Sequence, residues 1–85
     1  MSLDRIDLAL RLLAERDAAA ADIERLGARE REALTLLVKG FDLDEIGDRM
    51  GLSAQSAKSN LSRAGQRLGL SRVELIVLAT KAGMA

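Results

Sequence analysis

Apolar residues recur along most of this chain at spacings of three and four, the period of one face of a helix. Residues 3 to 26 carry Leu3, Ile6, Leu10 and Leu13 in that pattern, followed by an alanine-rich stretch of high helix propensity. The pattern predicts a long amphipathic first helix. Leu8 and Leu12 add a second apolar strip, more than one neighbour requires. Gly27 is expected to stop this helix, as a glycine just past a helix end commonly does.

A second helix is predicted from Ala28 to Lys39, with Ala33, Leu34, Leu37 and Val38 inward and Gly40 at its left-handed end. Asp42 and Glu45 then form a capping box, which opens a short third helix bearing Leu43, Ile46 and Met50 and closed by Gly51. Ser53 is placed to cap a fourth helix whose Ala57, Leu61, Ala64 and Leu68 face inward. Gly69 stops it, and Ser71 with Glu74 forms another capping box for a last helix through about Ala82. The tight turn from Met50 to Ser53 makes the third and fourth helices a helix-turn-helix. The expected fold is all-α: a small bundle of about five helices, with residues 1–26 as an added N-terminal helix that either caps the core or serves a dimer, and 27–85 as the helix-turn-helix domain.

Composition narrows the function. A chain of 85 residues holds one domain, and with no Pro and one aromatic residue, Phe41, its core must come from Leu, Ile, Val, Ala and Met. There is no Cys and no His, so the usual zinc and iron ligand sets and the Ser-His-Asp and Cys-His nucleophile systems are ruled out. The expectation is a protein that is not an enzyme and uses no cofactor or metal. No apolar run reaches membrane-spanning length and no export-signal pattern opens the chain, so a cytoplasmic location is expected.

Lys+Arg and Asp+Glu both number 13, so only the distribution of charge can point to a partner. Residues 53 to 68, SAQSAKSNLSRAGQRL, hold three bases and no acid. With the apolar residues inward, Ser56, Lys58, Ser59, Asn60, Ser62, Arg63, Gln66 and Arg67 are left on the surface. Short hydrogen-bonding side chains with cations and no carboxylate are what a helix needs to enter the major groove between phosphate ridges. The compensating acids, Asp42, Asp44, Glu45 and Asp48, fall on the preceding helix. For Glu30 a structural role, as a buried hydrogen bond or an ion pair with a nearby Arg, outweighs a functional one. For Arg29 and Lys39 a solvated face is at least as good a reading as a phosphate contact.

The segments LGAREREALTLLVKG, EIGDRMGLS, SAKSN and RLGLSRVELI, in that order and spacing, resemble the C-terminal DNA-binding domain of the LuxR/GerE transcription regulators over about residues 26 to 83. The resemblance implies that Lys58, Ser59 and Ser62 face bases and that Ser56 touches phosphate. Arg63 and Arg67 share that helix and are the further phosphate candidates. It also implies dimerisation through the last helix, by Val73, Ile76 and Val77, to which the apolar surplus of the first helix adds Leu10 and Leu13. Gly27 stands where that family prefers a Thr cap, and Asp42-Leu43-Asp44 replaces a polar entry to the supporting helix. The expected function is therefore a stand-alone bacterial transcription regulator that binds double-stranded DNA as a homodimer on a two-fold symmetric site. The rival is a protein that has given up DNA and pairs with another regulator or with RNA polymerase machinery.

Overall fold

A computed structural model describes residues 3–84, with side chains from Arg5 onward. Five helices follow one another: α1 (Leu3–Glu24), α2 (Ala28–Val38), α3 (Leu43–Met50), α4 (Ala54–Leu68) and α5 (Arg72–Lys81), with no strand among the described residues. Leu3, predicted to start the α1 stripe, has a side chain outside the described residues.

The caps form as their residue types dictate. The Asp42 carboxylate accepts the Glu45 N–H at 2.9 Å while Glu45 accepts the Asp42 N–H at 3.2 Å, and Ser71 and Glu74 exchange the same pair of bonds. Ser53 Oγ accepts the Ser56 N–H at 3.1 Å to open α4. Each bond satisfies a helix-end donor that would otherwise lack an intrahelical partner. Gly27 corrects the expectation placed on it. Its φ is −67° and ψ 158°, so it is the extended cap residue that begins α2, not the left-handed terminator of α1. The first helix ends without a glycine, through tightened bonds from Arg25 N–H to Asp22 O and from Leu26 N–H to Ile23 O.

One local device builds both later turns. GDRMGLS (47–53) and GQRLGLS (65–71) share glycines four apart, then Leu and Ser. In each, the second glycine is left-handed, with φ of 70° at Gly51 and 68° at Gly69. The following leucine N–H returns to the first glycine's carbonyl, at 2.7 Å for Leu52 to Gly47 and 2.9 Å for Leu70 to Gly65. That return brings the leucine carbonyl so close that a Cβ on Gly47 or Gly65 would stand 2.6 Å from it. The serine then caps the next helix, so seven residues encode a stop, a turn and a start.

The largest fully buried side chains are Leu34, Ile46, Leu61 and Leu75, one from each of α2 to α5. Around them close Ala33, Ala57, Ala64 and Ala79, whose small size lets the helix axes approach. Among the described side chains of α1 only Ala19 and Ile23 are buried, followed by Leu26 in the turn after it. The alanine-rich end of α1 therefore covers the core, and the leucine-rich part from Arg5 onward does not. Every residue from Arg5 to Ala18 is exposed, including Ile6, Leu10 and Leu13. The molecule measures 52 Å along its long axis against 22 and 19 Å across.

Candidate nucleic-acid interface

Helix α4 is anchored by Ala57, Asn60, Leu61, Ala64 and Gly65, which are buried at helical spacing. Helix α3 packs closely along it and fixes the angle between the two. At about 100° per residue, the remaining positions sort into bands. Gln55, Ser59, Ser62 and Gln66 fall within one sector of about 60°, all neutral hydrogen-bonding groups. Lys58 lies at one border of that sector, and Ser56, Arg63 and Arg67 lie at the other. A neutral central stripe between two cationic borders matches a groove floor between two phosphate ridges.

The side chains are not equally free. Lys58 and Ser62 are exposed, while Ser56 and Ser59 are half-buried. Lys58 takes part in none of the ion pairs formed among the described residues. Ser56 receives the Ser53 hydroxyl at 3.1 Å, which ties it to the capping turn. Gln55, exposed and four residues before Ser59, was not singled out from the sequence. Its place on the stripe follows from the same helical arithmetic that places Ser59, Ser62 and Gln66.

The far border is engaged by Glu30, which lies in the first turn of α2 and whose side chain is only 6% exposed. Its carboxylate accepts the Gly27 N–H at 3.1 Å and Arg67 Nε at 2.8 Å, with Arg63 Nε at 3.9 Å. Arg67 is thus first a tie between α4 and α2, though its side chain remains 55% exposed. Burial alone would raise the carboxyl of Glu30. The Gly27 N–H, then the Arg67 hydrogen bond and charge, then the Arg63 charge outweigh burial and hold it below its ordinary value.

A lowered folded pKa means that this contribution is complete above the ordinary Glu value of 4.5 and is lost as pH falls through the lowered one. Glu30→Gln keeps an acceptor for Gly27 but removes the charge, and should cost about 1 to 2 kcal/mol at neutral pH, discounted for the half-exposed arginine. Chemical denaturation at pH 7 and pH 3 checks this. The gap between variant and wild type should narrow at the lower pH.

Asn60 corrects its surface assignment: it is 6% exposed. It donates to Ser56 O at 3.0 Å and accepts Arg63 Nη2 at 3.1 Å. Both polar ends are thereby satisfied inside the fold, and Arg63 is oriented by the second bond. Arg29 is likewise structural, donating to Met50 O at 2.6 Å and to Glu32 at 2.8 Å. It clamps the end of α3 to α2. On α3, Asp42 and Glu45 are occupied by capping each other's backbone, and Arg49 lies 4.0 Å over the Phe41 ring. Asp44 and Asp48, exposed and four residues apart, are the acids of this helix with no such task.

The α5 residues expected at a dimer contact are Val73 and Val77, both exposed, and Ile76, half-buried. Leu10 and Leu13 lie on the projecting half of α1, so the two apolar groups sit on helices that pack against each other. No helix of the described residues is long and apolar enough to cross a membrane.

The family model described as Sigma-70, region 4 matches residues 23–68, more than half of the chain. The match runs from the buried end of α1 through the last residue of α4 and leaves out α5 and the projecting part of α1. No curated protein matches the chain.

Proposed function

Because the chain belongs to the sigma-70 region 4 family of helix-turn-helix DNA-binding domains, we propose that it is a bacterial transcription regulator that inserts α4 into the major groove. Sigma-70 region 4 and the LuxR/GerE domains are related helix-turn-helix designs, and the family match falls on the former. The LuxR/GerE resemblance therefore enters this reading only through the shared motif. The observation that carries the proposal is the neutral stripe of Gln55, Ser59, Ser62 and Gln66 bordered by Lys58 on one side and Ser56, Arg63 and Arg67 on the other.

In this reading Lys58, Ser59 and Ser62 read base edges. Ser56 and Arg63 meet phosphate, as does the exposed part of Arg67 that Glu30 does not engage. The protein performs no chemistry, needs no cofactor and works in the cytoplasm. It acts as a homodimer on a two-fold symmetric site with half-sites about 10 base pairs apart. The exposed Asp44 and Asp48 on the supporting helix weaken attraction to the backbone, so affinity per copy is modest.

Lys58→Ala should weaken binding to a duplex selected from a random library by about 1 to 3 kcal/mol, read by fluorescence anisotropy. An unchanged affinity would remove Lys58 from the interface. The exposed acids of α3 favour a second reading, in which α4 is not used on DNA and the chain pairs with another regulator or with RNA polymerase machinery. That reading expects no duplex complex even at low salt.

A further inference from the structure

Seven large apolar side chains are exposed among the described residues: Ile6, Leu8, Leu10, Leu12 and Leu13 on α1, and Val73 and Val77 on α5. All seven lie outside the 23–68 segment that carries the helix-turn-helix. We infer that the projecting half of α1 is an interaction surface for a second copy of this chain, which covers it together with the Val73–Val77 face of α5. The inference rests on the dimeric reading above and assigns the surface that makes the dimer.

Residues 5 to 18 are fourteen consecutive exposed positions. They form a helical segment about 21 Å long that extends past the bundle. A free helix of that length is marginal in water, so its helicity calls for a covering surface. Around the axis, at about 100° per residue, Ile6, Leu10 and Leu13 form one strip. Leu8 and Leu12 form another on nearly the opposite side, in line with the buried Ala19 and Ile23. One neighbour can cover one strip, so the segment is built to lie between surfaces.

The charges select the occupant. Along the segment Arg5, Asp7, Arg11, Glu15, Arg16 and Asp17 alternate in sign and cancel. Such a segment has no net field to draw a polyanion or a strongly basic protein, and none to repel its own copy. Area points the same way. A helix about 21 Å long and about 10 Å across has a lateral envelope of roughly 650 Å². Covering it with the α5 valines approaches the about 800 Å² per partner of a standard interface, and the two valines alone fall well short.

Sedimentation equilibrium of the full chain without DNA tests this. The wild type should dimerise, and Leu10→Glu/Leu13→Glu and, separately, Leu8→Glu/Leu12→Glu should each raise the dimer dissociation constant at least a hundredfold. The substituted side chains are exposed, so cooperative unfolding of α2 to α5 should persist in both variants and is checked by denaturation. A wild type that stays monomeric at all concentrations, or a dimer that survives both α1 variants, overturns the inference. Binding of the monomeric variants to a duplex half-site is measured in parallel. DNA binding by a protein that never dimerises sinks this inference together with the dimeric part of the functional reading and leaves the insertion of α4 into DNA standing, whereas dimerisation without any DNA binding sinks the DNA reading and leaves this inference standing.

Discussion

Truncating Leu61 to alanine should remove about 2 to 5 kcal/mol of folding stability, the range for deleting a large aliphatic side chain from a closed core. Leu61 is 1% exposed and belongs to the same buried cluster as Leu34, Ile46 and Leu75. It is the largest fully buried side chain of α4 and helps seat that helix on the others, on the side away from the polar stripe. A domain of this size has a total stability of roughly 4 to 13 kcal/mol, so the variant should be partly unfolded at moderate temperature. Thermal and urea denaturation read the effect. A loss below about 1 kcal/mol would mean that α4 is not held by this contact and that its outward face is not fixed as described.

Gly47→Ala should cost about 2 kcal/mol although it adds a single methyl group. The new Cβ would stand 2.6 Å from Leu52 O and 3.0 Å from Ser53 C, both backbone atoms of the turn that joins α3 to α4. Neither can move without shifting the cap of α4, so the strain lies near the upper end of the about 1 to 3 kcal/mol typical of overpacking. The better helix propensity of alanine returns up to about 1 kcal/mol. Gly51→Ala is the control. A Cβ there meets nothing within 4 Å, and only the left-handed φ of 70° opposes it, at about 1 to 2 kcal/mol. Gly47→Ala should also weaken DNA binding beyond its stability effect, because it changes the angle between the two helices, whereas Gly51→Ala should not. Urea denaturation with anisotropy on the folded fraction separates the two effects.

The helix ends were legible in the sequence because their signals are local. Asp42 with Glu45, Ser53, and Ser71 with Glu74 cap within three residues, and Gly40, Gly51 and Gly69 take positive φ where a helix must stop. Gly27 misled because glycine serves at either end of a helix, and only the extended backbone shows which end it serves. The recurrence of GxR(M/L)GLS was present in the sequence, but its purpose shows only when the return bond and the close carbonyl are seen.

The candidate interface was legible as a set of residues and less so as a set of roles. Helical spacing identifies Lys58, Ser59 and Ser62 as outward or partly outward, but it cannot bring Glu30 to Arg67, thirty-seven residues away. Nor could it show that Asn60 is buried by bonding inside its own helix. Long-range pairing of that kind is a property of packing, and the same limit applies to α1. Its leucine stripe resembles a core-facing seam, yet Ala19 and Ile23 make the seat while Leu8, Leu10, Leu12 and Leu13 project.

The central claim is that α4 enters a DNA groove between phosphates, and the salt dependence of a duplex complex tests it most directly. With Arg63 and Arg67 at the phosphates and Lys58 on base edges, the logarithm of the binding constant should fall against the logarithm of salt concentration with a slope of about −2 for each copy bound, at about −0.9 for each phosphate neutralised. A slope near zero, or no complex at low salt, would contradict the account.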